Sequence, residues 1–359
     1  MKGVLSSIFY FLTLFLFAQS PLYDFVSFNK TIKIPASLNS ERSAVIFSIP
    51  NKSGEFVTVG DYEKMIVQVH KAFITMGIDA VFYLQDINMV ASNAALDSYV
   101  DLFNKREIKN IIFITKSNNA FELIMAPYSG TTKMIVGNSD VFYLKANDLY
   151  SLLLNVGKEV KRADQQVQNF LIPEKPNYLQ GISIVEKTLL KNYPGILRRS
   201  KLAVERFSPI DTTTILSKEV MERTRKYNER VRAKNQELES IMKSYPYEYE
   251  LINAMSDDDL RRNRYQFLLR SVCATARNVR QMLDYEVTPS QSGFVSIIPV
   301  MPDQTRVKTI PQDAIVCKFF IRQNISKNVH VGEWDADVTW QDALRNMIGN
   351  LTQELNVKN

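Results

Sequence analysis

The sequence predicts an α/β protein: a small doubly wound parallel sheet domain followed by a mixed α+β domain with a long helical pair. Strand-like and helix-like segments alternate from residue 43 to about 170, two prolines interrupt the pattern near 173, and beyond them helical periodicity precedes strand-like runs. With 359 residues, 45% of them apolar, the chain has material for two cores. The division expected is a signal peptide at 1–18, an extension at 19–42, an α/β (Rossmann-like) domain at 43–172, a linker at 173–181 and an α+β domain with a helical hairpin at 182–359.

Each element of the first domain has a local reason. Residues 44–49, ended by Pro50, form a continuous apolar run of the kind that a strand buried on both faces requires. Thr58 and Asp61 have capping-box spacing and open a helix whose apolar positions Ile66, Val69, Phe73 and Met76 share one face, and Gly77 closes it. A strand at 80–84, a helix through Leu96, Tyr99, Val100 and Phe103, and a strand at 110–115 complete three parallel strands with two crossovers. The shorter segments 121–126, 134–136 and 141–144 suit a hairpin at the sheet edge, and a helix from near Asn147 follows them.

In the second domain, Val220, Thr224, Tyr227, Val231, Lys234, Leu238 and Ile241 recur at spacings of about four and three, the seam of a packed helix. Ser256 and Asp259 mark another cap, from which a second helix through Leu260, Leu268, Val272, Ala276, Val279 and Leu283 would complete an antiparallel pair. Strands are expected at 294–298, 314–321 and 328–331, and a last capping box, Thr339 to Asp342, starts a terminal helix. The sequence shows no internal repeat.

Met1 and Lys2, an apolar run at about 4–17 and the polar Gln19 and Ser20 have the layout of a cleavable signal peptide, with cleavage expected after Ala18 although Leu16 stands where a small residue is preferred. The run falls short of the roughly 20 residues of a spanning helix, and no transmembrane segment is expected after cleavage. The mature chain is therefore expected in the periplasm or outside the cell. In that oxidising setting Cys273 and Cys317 could pair, but a helical environment for Cys273 and a strand for Cys317 favour two buried free thiols. His70 and His330 are too few and too far apart for a histidine metal site, and no cofactor is expected. Phosphate-binding, nucleophile-elbow and zincin motifs are absent from the sequence.

Open parallel sheets bind ligands beyond the carboxyl ends of their strands. That rule selects Asn51, Lys52, Ser53, Asp86 and Lys116, with Lys52 and Lys116 suited to an anion. The net charge of +6 is compatible with acidic partners, and Arg261, Arg262 and Arg264, continued by Arg270, Arg277 and Arg280 on the expected helix, form a candidate partner-binding face. Interleaved glutamates at 219, 222, 229, 237 and 239 offer these arginines a simpler use in surface ion pairs, and no strong nucleic-acid signal accompanies them. Asp335 and Asp337 flank the aromatic Trp334 region, a pairing known from acid catalysis and also from ordinary turns. The expectation is an exported cell-envelope binding or assembly protein, more a binder of protein partners than an enzyme, with weak self-association. The alternatives are an envelope hydrolase using carboxylates, or a phosphate or nucleotide module on the α/β domain.

Overall fold

The computed structural model describes residues 22–23, 25–49, 59–117, 120–174, 178–179, 181–213, 215, 217–288, 290–301 and 304–357. The expected signal peptide, the Thr58 cap, Asn51, Lys52 and Ser53 lie outside the described residues.

The chain begins with edge strand β1 (Asn29–Thr31), then β2 (Ser43–Ser48), α1 (Val59–Thr75), β3 (Ala80–Gln85), the short α2 (Asp86–Met89), α3 (Asn93–Lys105), β4 (Asn110–Lys116), β5 (Phe121–Pro127), β6 (Asp140–Ala146) and α4 (Leu149–Ala163). These form a mixed sheet of order β1-β6-β5-β4-β2-β3, extended at the β3 edge by β7 (Tyr178–Leu179). β2 is parallel to both β3 and β4, whereas β5 runs antiparallel to β4 and to β6. The three strands expected to be parallel are β2, β3 and β4, and the segments expected as a hairpin at the sheet edge supply the antiparallel β5 and β6, so the sheet as a whole is mixed.

β2 is buried throughout, as its unbroken apolar run requires. Val45 and Phe47 pack under α1 and α4, against Ile66, Phe73, Leu152 and Val156, while Ala44 and Ile46 face α3 through Tyr99 and Phe103. Burying each such large side chain stabilises the fold by roughly 1.5–3 kcal/mol. Gly77 ends α1 at φ +75°, where a Cβ would lie 2.5 Å from a Val167 methyl.

The second half continues with β8 (Leu189–Leu190), β9 (Leu202–Glu205), α5 (Lys218–Met242), β10 (Tyr249–Ile252), α6 (Asp257–Arg262), β11 (Phe267–Thr275), α7 (Ala276–Met282), the hairpin β12 (Gly293–Met301) and β13 (Gln304–Pro311), β14 (Ile315–Gln323), β15 (Val329–His330) and α8 (Trp340–Val357). Its sheet has the order β8-β15-β14-β11-β9-β10 when traversed from the β8 edge. β9 is parallel to β10 and β11, β14 is antiparallel to β11 and β15, and β8 is parallel to β15. Strand for strand this repeats the first sheet, with β8 in the place of β1, β9 of β2, β14 of β5 and β15 of β6. The helices correspond as well, because α5 and α8 cover one face through Leu238, Ile241, Met347 and Leu351, as α1 and α4 do. The structure therefore contains a topological repeat that the sequence does not display.

Three expectations need correction. The helix running through Leu260 to Leu283 does not exist, so the long helical pair is absent. Instead α6 stops at Arg262, Arg264 adopts φ +62°, and residues 267–275 form β11 between β9 and β14. β11 carries apolar residues on both faces, so its Leu268 and Val272 fall four apart as on a helix, and Ala276 and Val279 continue that spacing only because the separate α7 follows directly. Secondly, Cys273 lies on a strand and is joined to Cys317 in a disulfide, not left as a thiol. The two residues are directly opposite on antiparallel strands with Cα atoms 4.1 Å apart, and their N–H groups point away from each other, to Ala91 and Asp337 carbonyls. Thirdly, the arginines expected on one helix are spread over α6, β11 and α7.

The halves are docked onto each other. The turn after α2 presents the Ala91 carbonyl to the Cys273 N–H, Asn278 Nδ2 donates to Asn88 Oδ1 at 2.6 Å, and Ala91 and Ala95 join the apolar cluster of α7 and β14. The α5 seam is spent inside the chain: Val220, Thr224, Val231, Leu238 and Ile241 are buried, and Tyr227 meets Phe25 at 5.1 Å between ring centres.

Candidate ligand cleft at the strand ends

At the carboxyl ends of β2 and β4 the structure holds a cleft of about 410 Å³, within the range of small-molecule sites. Ser48, Thr115, Lys116 and Ser117 contribute the strand ends, and Glu122 and Tyr143 contribute the hairpin edge. The N-terminal segment around Phe28 closes one side and the start of α5, from Ser217 to Arg223, another. Pairing of β1 with β6, which sets Lys30 beside Val141, brings the N-terminal segment there. The Tyr23 ring packs 4.8 Å from Phe113, and its hydroxyl lies 2.7 Å from Thr115 Oγ1.

The charges in the cleft are unequal in their engagement. Glu122 holds Lys145 at 2.9 Å, and Glu219 holds Arg223 at 2.9 Å. Lys30 Nζ lies 3.9 Å above the Tyr143 ring and Lys116 Nζ lies 5.7 Å from the Phe121 ring. Burial, reinforced by the charge and hydrogen bond of Glu122, pushes the Tyr143 hydroxyl up to about 12, so it is a neutral donor at physiological pH. The arrangement combines two ammonium groups near rings, a phenol held by Glu122 and an apolar lining from Val26, Ile124 and Val220.

The structure separates the residues selected from the sequence. Lys116 lines the cleft, whereas Asp86, beyond β3 on the other side of β2, does not. Asp86 is 2% exposed and accepts the Ile87 N–H at 2.7 Å, and its charge helps to raise the pKa of Tyr62, whose largest cause is burial. Arg261 pairs with Asp258 and Arg262 with Asp259 within α6, and Arg270 pairs with Glu205 at 2.7 Å, so these arginines are ion-paired but not with the glutamates expected from the sequence, of which Glu219, Glu222 and Glu229 pair with Arg223 and Arg225 inside α5. Arg280 stacks instead over Phe294 at 4.6 Å and Trp334 at 5.1 Å. Lys30, Tyr143 and Arg223 were missed in the sequence because they meet only through long-range pairing. The basic residue at 30 next to a strand-like stretch was the one available signal.

Asp335 and Asp337 do not form an accessible carboxylate pair. Asp335 is fully buried and accepts Lys318 Nζ at 2.6 Å and Asn350 Nδ2 at 3.2 Å, and Lys318 also donates to the Val331 carbonyl at 2.5 Å. Burial raises the Asp335 carboxyl and lowers the Lys318 ammonium, each opposed by the partner's charge. Asp337 takes Lys308 at 2.7 Å. A second cleft of about 380 Å³ lies nearby, lined by Lys191, Tyr193, Ile297, Thr305, Glu333 and Glu354 among others. Among the described residues no group of three or more metal-ligating side chains converges, and no helix is long and apolar enough to cross a membrane. Compared with known proteins, the chain matches no family profile, no curated protein and no solved structure.

Proposed function

We propose that this is an exported cell-envelope binding protein whose first α/β unit takes a small anionic ligand in the cleft at the ends of β2 and β4. The observation that carries the reading is the placement of Lys30 and Lys116 over aromatic rings while Glu122 and Glu219 are engaged by other cations. The N-terminal layout of Met1, Lys2 and the apolar run supports export. Three parallel strands, β3-β2-β4, with α1 and α3 on opposite faces support a doubly wound reading of this unit, in which a ligand belongs beside the central strand's carboxyl end. Binding is favoured over hydrolysis because Asp335 and Asp337 are committed to lysines and Asp86 lies outside the cleft.

The test has two arms. Amino-terminal sequencing of the protein from an envelope fraction should begin at Gln19, and recovery of the intact start in the membrane would make the apolar run an anchor and not a cleaved signal peptide. The mature chain is then titrated calorimetrically with inorganic phosphate, adenosine monophosphate, citrate and an acidic dipeptide, beside Lys30→Glu/Lys116→Glu. One of the anions should bind, and the double variant should bind it at least about tenfold more weakly, a loss of about 1.4 kcal/mol. Equal affinity in the two proteins, or no heat with any of the four, would remove the cleft from the account.

A further inference from the structure

The hairpin of β12 and β13 is an insertion that one half carries and the other lacks. In the first unit β4 ends at Lys116 and β5 starts at Phe121, whereas the corresponding β11 and β14 are separated by residues 276–314. The hairpin is a sheet of its own. β12 is anchored on its outer side, where the Ile297 N–H donates to the Trp334 carbonyl at 2.8 Å and Ser296 Oγ to the Ala336 carbonyl at 2.6 Å.

That anchoring fixes which way β13 points. Ile297 is opposite Val307, and since the Ile297 N–H faces away from β13, this is a non-hydrogen-bonded pair. Val307 therefore turns its own N–H and C=O outwards, and by the same alternation so do Thr305 and Thr309, opposite Pro299 and Val295. Two prolines agree with this phase, since Pro299 and Pro311 stand at positions whose N–H would not enter the ladder. Among the described residues no backbone partner meets the outer groups of Thr305, Val307 or Thr309. Six consecutive residues of β13, 304–309, are exposed, with Val307 at 64% and Val295 across from Thr309 at 55%.

An exposed edge of this length invites pairing, and its charges select the partner. Arg306 and Lys308 lie on one face of β13 with no acidic residue on the strand; Asp337 holds Lys308 from outside the hairpin at 2.7 Å, so Arg306 is the main charge offered to a partner and Lys308 adds to it. An antiparallel second copy must pair outward-facing residues with each other, and the registers that pair at least two of Thr305, Val307 and Thr309 centre on Arg306, Val307 or Lys308. These registers set Arg306 against Arg306, Arg306 against Lys308, or Lys308 against Lys308, and like charges directly opposite destabilise a sheet. Charged edge residues also serve simply to block aggregation. Here they stand beside exposed Val295, Val300 and Val307, which such blocking alone does not call for.

We propose that β13 is a strand-addition site for an extended acidic segment of a partner protein, with alternate carboxylates over Arg306 and Lys308 and β-branched residues over Val307. This inference is independent of the anion cleft. The added strand gains main-chain hydrogen bonds at Thr305, Val307 and Thr309 and takes its specificity from the alternating side chains.

The probes are an octapeptide alternating glutamate with valine and its lysine counterpart, followed by fluorescence anisotropy on the mature chain at low and high salt. The acidic probe should bind, weaken with salt, and slow amide exchange at residues 305, 307 and 309. Val307→Pro removes an outward N–H without touching the β12 ladder, so it should keep the melting temperature and lose at least about tenfold in affinity. Arg306→Glu should lower the preference for the acidic probe. Failure of the acidic probe to bind at low salt, equal binding by Val307→Pro, or protection elsewhere would each overturn the proposal. So would a dimer in sedimentation that Val307→Pro abolishes, which would give the edge to a second copy.

Discussion

The two halves share a strand order but fill it with different chemistry. In the first, both faces of the central strands are apolar: Val45, Phe47, Ile112 and Ile114 on one side, Ala44, Ile46, Ile111 and Phe113 on the other. In the second, one face is apolar in the same way, through Leu202, Val204, Leu269 and Phe319, but the other carries the fully buried Lys318 on β14 and Arg270 beside Glu205. The second half is also crossed by a disulfide and interrupted by the β12–β13 hairpin. Topology therefore constrains where strands lie and which faces must be covered, while leaving open whether a position is covered by carbon or by a satisfied ion pair. The first half presents a cleft at its strand ends, and the second presents a strand edge.

The sharpest test of this contrast is Lys318→Met, which leaves Asp335 buried without its cation and should cost about 3–5 kcal/mol. Replacing both partners, as in Lys318→Met/Asp335→Leu, should recover most of that loss, because an apolar pair of similar volume needs no compensating charge. Urea denaturation of the three proteins reads both effects. A single variant as stable as the parent would show that the ion pair is idle and that the halves differ less than their cores imply. In the first half, where Ile112 sits among apolar side chains, Ile112→Ala should cost about 2–5 kcal/mol through its cavity, and no second substitution of a polar partner should rescue it.

Much of this was legible in the sequence, for identifiable reasons. Residues 44–49 announced β2 because a strand buried on both faces has no room for a polar side chain, and Gly77, Ser256 and Thr339 marked helix ends by local chemistry alone. β11 was misread because apolar residues on both its faces, Phe267, Leu269 and Cys273 on one and Leu268, Val272 and Ala274 on the other, run on into those of α7 and leave no clear period of two. The repeat escaped notice because its equivalent strands keep burial but not identity, Val45, Ile46 and Phe47 in one half and Leu202, Ala203 and Val204 in the other. At the cleft, Lys116 followed from the strand-end rule, whereas Lys30 and Tyr143 are joined by the β1–β6 ladder, a contact no local pattern encodes.

The disulfide is the next largest expected difference between the halves. It closes a loop with a sequence separation of 44, and such a link contributes about 2–4 kcal/mol, chiefly by restricting the unfolded chain. Cys273→Ala/Cys317→Ala, or reduction of the parent, should lower the thermal midpoint. Amide exchange should rise across β11 and β14 more than across β2 and β4. Uniform loosening of both sheets would mean that docking through Ala91 and Asn88 makes the halves one cooperative unit, and no change on reduction would make the link dispensable.

The smallest expected difference concerns the histidines, one in each half and both buried. His70 Nδ1 lies 3.0 Å from the Tyr83 hydroxyl and Nε2 lies 3.2 Å from the Ile172 carbonyl, so both nitrogens are hydrogen-bonded. His330 has only one such partner, Nδ1 donating to the Asn192 carbonyl at 2.8 Å, while Nε2 is buried without one. Burial lowers the His330 pKa below its ordinary 6.5, with the Asn192 hydrogen bond opposing the shift. A depressed histidine pKa means that the unfolded chain binds the proton more readily, so this contribution to stability is present above 6.5 and is lost as the pH falls through the lowered value. Urea midpoints measured between about pH 8 and about pH 5 should therefore decline for the parent and decline less for His330→Gln, whose amide retains a donor for the Asn192 carbonyl. A slope unchanged by His330→Gln would place the acid sensitivity elsewhere in the chain.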